Sequence, residues 1–520
     1  MRYCGAALVV ALMLSGCGTV APRAHLPTSL ATPPSPDSAL ASVARASTPS
    51  PEMSGIRIMP SAAYSLDARI ELSRRAERSL DIQYYLIQND RTGRLLLRTV
   101  RDAAKRGVRV RLLVDDLYTF GADDMFVGLA AFPNIEVRYF NPFCCGRDGL
   151  WSKYAASLLD FSRLNHRMHN KLFVADSTIV VAGGRNIADE YFARSMSGNF
   201  VDMDALIVGA VVPRLVGIFD AYWNSAHAYP IAQIVATGRT PEDLQQAFDR
   251  LVDEGDQMLA VSVPPTDILG YGPITDELAK GSMALKWAKA RAFADSPDKV
   301  RAKTREEARS MSATMNVFDL VVAARDRVVL SSPYFVPGRM GTSAFAELRK
   351  RDVGVTILTN SLASNDEPLV HTGYSRYRRD LLQSGVDLYE LSPTRVLLDS
   401  HLGLAVPGAS LGRLHAKTAV IDNHTVFIGS MNLDPRSDST NTELGIIIES
   451  PELAQEVMRV IDISKRRSAY RVKIGSDGYS LEWHASDDAG DVVLHTEPDA
   501  SLFLRLRNML FAPFVPEQEL

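Results

Sequence analysis

The sequence predicts an α/β protein: two pseudo-symmetric α/β/α sandwich domains sharing one central active site. Three observations predict it. The stretch 167–186, RMHNKLFVADSTIVVAGGRN, recurs as 413–432, RLHAKTAVIDNHTVFIGSMN. Helical and strand patterns alternate ahead of both copies, as α/β sheets require. KRGVRVRLLVDD from Lys105 also matches KRDVGVTILTNS from Lys350, at a separation within one residue of that between His169 and His415. The duplication therefore covers whole domains.

In chain order, the first twenty residues hold one Arg, an apolar run too short to span a bilayer as a mature helix, and small residues before Cys17. Residues 1–16 read as a secretory signal. Leu14-Ser15-Gly16-Cys17 has the form of a bacterial lipobox, so Cys17 is the expected lipidation site, and a diacylated terminus anchors stably. The expected place is the cell envelope, as a membrane-anchored lipoprotein facing the periplasm. Residues 17–53, rich in Pro, Ser, Ala and Thr with little charge, read as a flexible tether. Of the four cysteines, only the adjacent pair Cys144 and Cys145 falls outside these segments, which implies no disulfide framework. A net charge of −4 with interspersed signs argues against a nucleic-acid partner.

The first domain is expected over 54–240. Its helices are read at 65–79 and about 92–106, with strands at 81–87, 108–115 and 135–143, and then the first motif. Residues 241–310 read as connector and insert. The second domain, 311–520, repeats the order: helix 313–325, strand 327–335, a helix through Leu348, strand 353–360, helix 374–384, strand 386–392 and the second motif. A helix from Pro451 to about Lys465 and a β-like segment with Tyr479 and Trp483 follow. The last stretch, 501–514, SLFLRLRNMLFAPF, reads either as a terminal helix packed on its domain or as an interfacial membrane segment, with packing preferred.

Each motif copy is H-x-K-x4-D-x6-G-[GS]-x-N. Its members are His169, Lys171, Asp176, Gly183, Gly184 and Asn186, and then His415, Lys417, Asp422, Gly429, Ser430 and Asn432. The apolar alternation predicts two short strands with a turn at Ser177 or at Asn423-His424. His and Lys two apart on a strand leave one face, aiming an imidazole and an ammonium at one point. The small residues permit close backbone approach, and Asn adds an amide donor. Such a group suits a phosphoryl centre: nitrogen attacks phosphorus while fixed positive charge holds the oxygens. A metal site fits poorly, because Lys is a poor ligand and neither copy offers a third His or Cys at ligand spacing.

The paired motifs resemble those of the phospholipase D superfamily. Within it, FSRLNHRMHNKLFVAD, GGRNIADEYF and FVDMDALIVG are similar to the bacterial cardiolipin synthases, in particular their C type. The resemblance implies a ping-pong reaction through phosphohistidine, with no metal and no cofactor. It makes His169, Lys171, Asp176, His415, Lys417 and Asp422 the catalytic set, with His169 as nucleophile and His415 as acid and then base. Asp176 and Asp422, past the turn from their histidines, are expected to be structural. Lys171, Asn186, Lys417, Asn432 and Ser430 would hold phosphate oxygens. An acid after each motif would orient an imidazole: Glu443 in the second half, Asp204 or else Asp202 in the first.

The implied activity is transfer of a phosphatidyl group to phosphatidylglycerol, making cardiolipin, with phosphatidylethanolamine as a further candidate donor and the membrane surface as partner. A hydrolase releasing phosphatidic acid is the alternative, ahead of a nuclease-type phosphodiesterase; a binding module would need a decayed motif. Tyr84, Tyr85 and Pro333 to Phe335 are candidates for a substrate pocket or for core packing. His371, with Tyr374, Arg376 and Tyr377, is a candidate headgroup contact or a solvated helix face.

Overall fold

A computed structural model describes residues 20, 22–46, 48–147, 149, 151–153, 160–254, 263–398, 411–487 and 490–517. The signal segment and Cys17 lie outside them. One continuous sheet organises the chain, and its strand order is a palindrome of the duplication. In the first half the spatial order is 228–230, 135–140, 109–115, 79–84, 172–175, 179–183, 204–209 and 54–59. In the second it continues 286–294, 444–449, 425–429, 418–421, 327–331, 354–360, 387–391 and 469–474, with the hairpin 481–487 and 490–494 beyond. The halves meet where 54–59 and 286–294 pair antiparallel, Ser54 opposite Ala288 and Ile56 opposite Lys286. That junction is the pseudo-two-fold axis.

Alternation along the strands puts residues such as Leu80, Ile82, Phe173 and Ala175 against helices 62–75, 91–105 and 123–130. Leu172 and Val174 face the opposite way, into a core that also takes Ile218 and Phe219 of helix 212–224 and Leu453 and Val457 of helix 451–463. This second core spans both halves. At about 1.5–3 kcal/mol for each fully buried large apolar side chain, it ties the two repeats into one unit.

Two expectations about organisation are corrected. Residues 22–46 do not hang free as a tether: Ala39–Ala46 is a helix, and the chain before it lies against the first half. Its backbone is caught by polar side chains there, Ser29 N–H donating to Asn224 (2.9 Å), Ala31 N–H to Asp220 (3.0 Å), and Arg111 donating to the Ser29 carbonyl (2.8 Å). The proline-rich composition hid this, because the ordering comes from partners distant in sequence. Nor is 241–310 a mere connector. Helix 241–253 buries Leu244, Phe248 and Val252 in the first-half core, and Lys286–Ala294 is the second half's own axial strand, equivalent to 54–59.

Candidate active site

Each motif folds as a hairpin whose last paired residues, Ala175 with Ile179 and Ile421 with Thr425, are joined by three residues. Asp176 and Ser177 have φ of 51° and 51°, and Asp422 and Asn423 have 52° and 54°, as a type I′ turn requires. The motif aspartates thus stand in the turn itself, at the far end of the strand from their histidines. Asp176 accepts the backbone N–H groups of Glu77, Arg78 and Ser79 (2.8–3.2 Å), and Asp422 those of Arg325, Asp326 and Arg327 (2.8–3.1 Å). They tie the hairpin to the start of the neighbouring strand. Counting them with the catalytic residues is therefore corrected; the geometry gives them a scaffold role.

His169 and Lys171, and likewise His415 and Lys417, lie in the extended approach just before strands 172–175 and 418–421 rather than on them. The last residue of an inner parallel strand holds each approach. Asp115 accepts the Met168 N–H (2.8 Å), and Asn360, its equivalent, accepts the Leu414 N–H (2.9 Å). Both lysine ammonium groups donate to the carbonyl of their own histidine at 2.7 Å, which fixes them beside the rings.

The carboxylates cross between the halves. His169 Nδ1 lies 3.0 and 3.1 Å from the two oxygens of Glu443, which belongs to the second half. His415 Nδ1 lies 2.6 Å from Asp202 Oδ2, which belongs to the first. Backbone pairing enforces the exchange. His169 N–H donates to the carbonyl of Thr442, just before Glu443, at 2.9 Å. His415 N–H donates to that of Val201, just before Asp202, at 2.7 Å, where strand 411–414 runs parallel to 198–201.

Asp204, the preferred first-half acid in the sequence, is elsewhere. Its carboxylate accepts from Ser65 (2.5 Å) and Arg69 (2.9 Å) in the core. Ser430 is also corrected. It is fully buried and donates its hydroxyl to Glu443, where Ser437 donates as well (2.9 Å), so it braces an acid instead of facing a phosphate. At the matching position a side chain on Gly184 would put Cβ 2.2 Å from Asp202 Oδ1, so the shorter acid needs the glycine.

Asn186 and Asn432 are buried, and the Oδ1 of each has no hydrogen-bond partner among the described residues. Asn186 Nδ2 lies 3.0 Å from the Tyr191 hydroxyl; with the amide turned end for end, that hydroxyl would serve Oδ1 and leave Nδ2 for an anion. Aromatic rings wall the histidines: Tyr85 stands edge-on to His169 at 5.1 Å, and Tyr191 and Phe200 flank His415 at 5.0 and 4.9 Å. Tyr84 points away, accepting from Arg69 (2.8 Å) in the core, and Tyr334 donates to Asp366 (2.9 Å). His371 is not on a solvated face: it is buried, with Nε2 2.9 Å from Arg378.

Burial dominates the electrostatics. It lowers His169 to about 4 and His415 to about 3, with the neighbouring lysines adding to the effect and the acids opposing it, so both rings are neutral near pH 7. With Nδ1–H given to a carboxylate, each Nε2 carries a free lone pair. Burial works against ionising Asp202, but His415 and Lys417 outweigh it and bring the acid to about 2; His169 and Lys171 lower Glu443 in the same way. Burial lowers Lys417 to about 8 and Lys171 well below its ordinary value, and the charge of Lys417 lowers Lys171 further. An anion between the two ammonium groups would relieve both penalties.

Sequence reasoning missed Ser437, Tyr191 and Phe200. Ser437 had a signal: Asp434-Pro435 is an N-cap followed by Pro at the first helical position, and Asp434 accepts the Ser437 N–H at 2.8 Å, opening helix 435–439 beside the site.

The family model described as cardiolipin synthase, PLD-like domain, matches residues 70–223 and 317–463. Cardiolipin synthase C of Escherichia coli K12 is 38% identical over 456 residues, covering 85% of this chain and 92% of its own. Cardiolipin synthase A of Pseudomonas fluorescens is 25% identical, covering 79% of this chain and 69% of its own. Among solved structures, the phosphatidylserine synthase of Haemophilus influenzae Rd KW20 superposes with a TM-score of 0.52 at 15% identity, over 80% of this chain and 87% of that one, a likeness of fold. The chain belongs to the cardiolipin synthase family of phospholipase D-like enzymes.

Proposed function

We propose that this enzyme transfers a phosphatidyl group from a phospholipid donor to phosphatidylglycerol, making cardiolipin through a phosphohistidine on His169. The observation that carries this reading is the pair of neutral, carboxylate-held histidines set with two lysines in one buried site. The phosphodiester anion, with Asp202 at 2.6 Å, lets His415 take up a proton on Nε2 as the substrate binds; His169 Nε2 then attacks phosphorus, and the departing alcohol oxygen takes that proton from His415. The acceptor hydroxyl of phosphatidylglycerol then gives a proton to His415 and attacks phosphorus, releasing His169. Lys171, Lys417, Asn186 and Asn432 bind the non-bridging oxygens through the reaction.

A lipidated Cys17 would hold this site at the cell envelope, and phosphatidylglycerol and phosphatidylethanolamine are the donors to try. The test supplies phosphatidylglycerol alone and with phosphatidylethanolamine, and identifies the products. Cardiolipin is expected; phosphatidic acid alone would overturn the transferase reading in favour of hydrolysis. His169→Ala and His415→Ala should each lower turnover by at least about 10⁴-fold, since the two rings act as a unit.

A further inference from the structure

Helix 502–511 is amphipathic the wrong way round for a packed terminal helix. Its one buried residue is Asn508, while Leu502, Phe503, Leu506, Met509 and Leu510 point to solvent, Phe503 at 75% and Met509 at 68% exposure. Phe514, just beyond, is 77% exposed. These positions recur every three or four residues and form a single stripe. The segment is nonetheless held. Arg376 donates to the carbonyls of Ala512 (2.7 Å) and Val515 (2.8 Å), and Tyr377 to Glu517 (2.6 Å).

The helix packs on helix 368–375, whose Leu369 is exposed. An apolar cavity of about 260 Å³ has Glu517 on its wall and is lined also by Arg339, Met340, Phe335, Phe345 and Asn432 of the second motif. Arg339 and Arg507 stand exposed around the apolar residues, and Arg505 is half-buried.

We propose that the outward face of helix 502–511, with Phe514, docks on the surface of a phospholipid bilayer and brings the cavity beside Glu517 close to the lipids. Charge chooses this occupant. Apolar side chains flanked by the exposed Arg339 and Arg507 match acyl chains beneath anionic phosphates. No described helix is long and apolar enough to cross a membrane, so docking here means lying in the interface.

The test is hydrogen exchange on the full chain, with and without vesicles of phosphatidylglycerol and phosphatidylcholine, compared with Phe503→Asp/Met509→Asp. Because the readout is local, an anchor at the other end of the chain cannot mimic it. Vesicles should slow exchange across 501–517 at least tenfold, and the double variant should abolish that protection while strand 327–331 exchanges as before. Its turnover of vesicle lipid should fall at least tenfold, as expected when two apolar anchors are lost, and turnover of monomeric short-chain phosphatidylglycerol should not change. Unaltered exchange on adding vesicles would overturn the proposal. So would protection already present without lipid, whether concentration-dependent, which marks a second copy, or not, which marks another part of this chain. The exchange arm needs no turnover and stands even if the proposed transfer fails.

Discussion

Around His415 the holding acid is Asp202, a short side chain made possible by Gly184 and steadied by the Met203 N–H (2.7 Å). Around His169 it is Glu443, one methylene longer, with Ser430 where the other half has Gly184 and with the Ser437 hydroxyl as a further donor. Both arrangements put a carboxylate on Nδ1, but their partners differ. Glu443 shares its charge among a ring and two hydroxyls. Asp202 divides its charge between one ring at 2.6 Å and the Met203 N–H, so under the proposed assignment the acid without hydroxyl partners faces the histidine that gives and takes the proton. The repeat thus preserved the geometry with different partners in each half.

Below the loss of either histidine, the largest effects should come from the acids, and they discriminate between the halves. Glu443→Gln and Asp202→Asn should each lower turnover of natural lipids by about 10²- to 10⁴-fold. With an activated ester whose leaving group needs no proton, Asp202→Asn should still form phosphoenzyme and Glu443→Gln should not. Trapped phosphohistidine measured on both variants checks this; the opposite pattern would mean that the nucleophile is His415.

Smaller changes test the bracing. Gly184→Ala forces a contact on Asp202 and should cost about 1–3 kcal/mol of stability, read by thermal unfolding, together with most of the activity. Ser430→Ala only deletes a donor to a buried carboxylate, a loss of roughly 1.5–3 kcal/mol that leaves room behind it, so activity should fall by about tenfold while the phosphoenzyme still forms. Equal effects from both would erase the distinction between the halves.

The smallest effect is a pH limb. Lys417, lowered to about 8, is charged below that pH and neutral above it. kcat/KM should therefore fall with rising pH beyond about 8, by tenfold per unit at the limit, as the phosphate loses its cation. In Lys417→Arg the guanidinium stays charged, and the limb should move upward even if the rate is lower; an unmoved limb would assign it to another group.

Much of this was legible in the residues. Six repeated positions gave both histidines, both lysines and both asparagines, and the alternation of patterns gave the inner strands 109–115 and 354–360 nearly to the residue. The crossing was not legible, because Glu443 follows His415 in sequence and only the docking of the halves turns it toward His169. The choice of Asp202 over Asp204 was hidden for a related reason: Arg69, on a helix far back in the chain, claims the second carboxylate. The helix at 502–511 looked like a packing element because its sequence is apolar, and only the burial of Asn508 reveals which side faces in.

The sheet junction at Ser54 to Ile56 and Ala288 to Lys286 bears on traffic as well as on architecture. Two lobes joined by side chains can swing apart like jaws. Here the lobes are stitched by main-chain ladder bonds over a shared core, so opening them would mean unfolding the centre of the molecule. Substrate must therefore reach the buried histidines past loops and side chains, with the two halves held together.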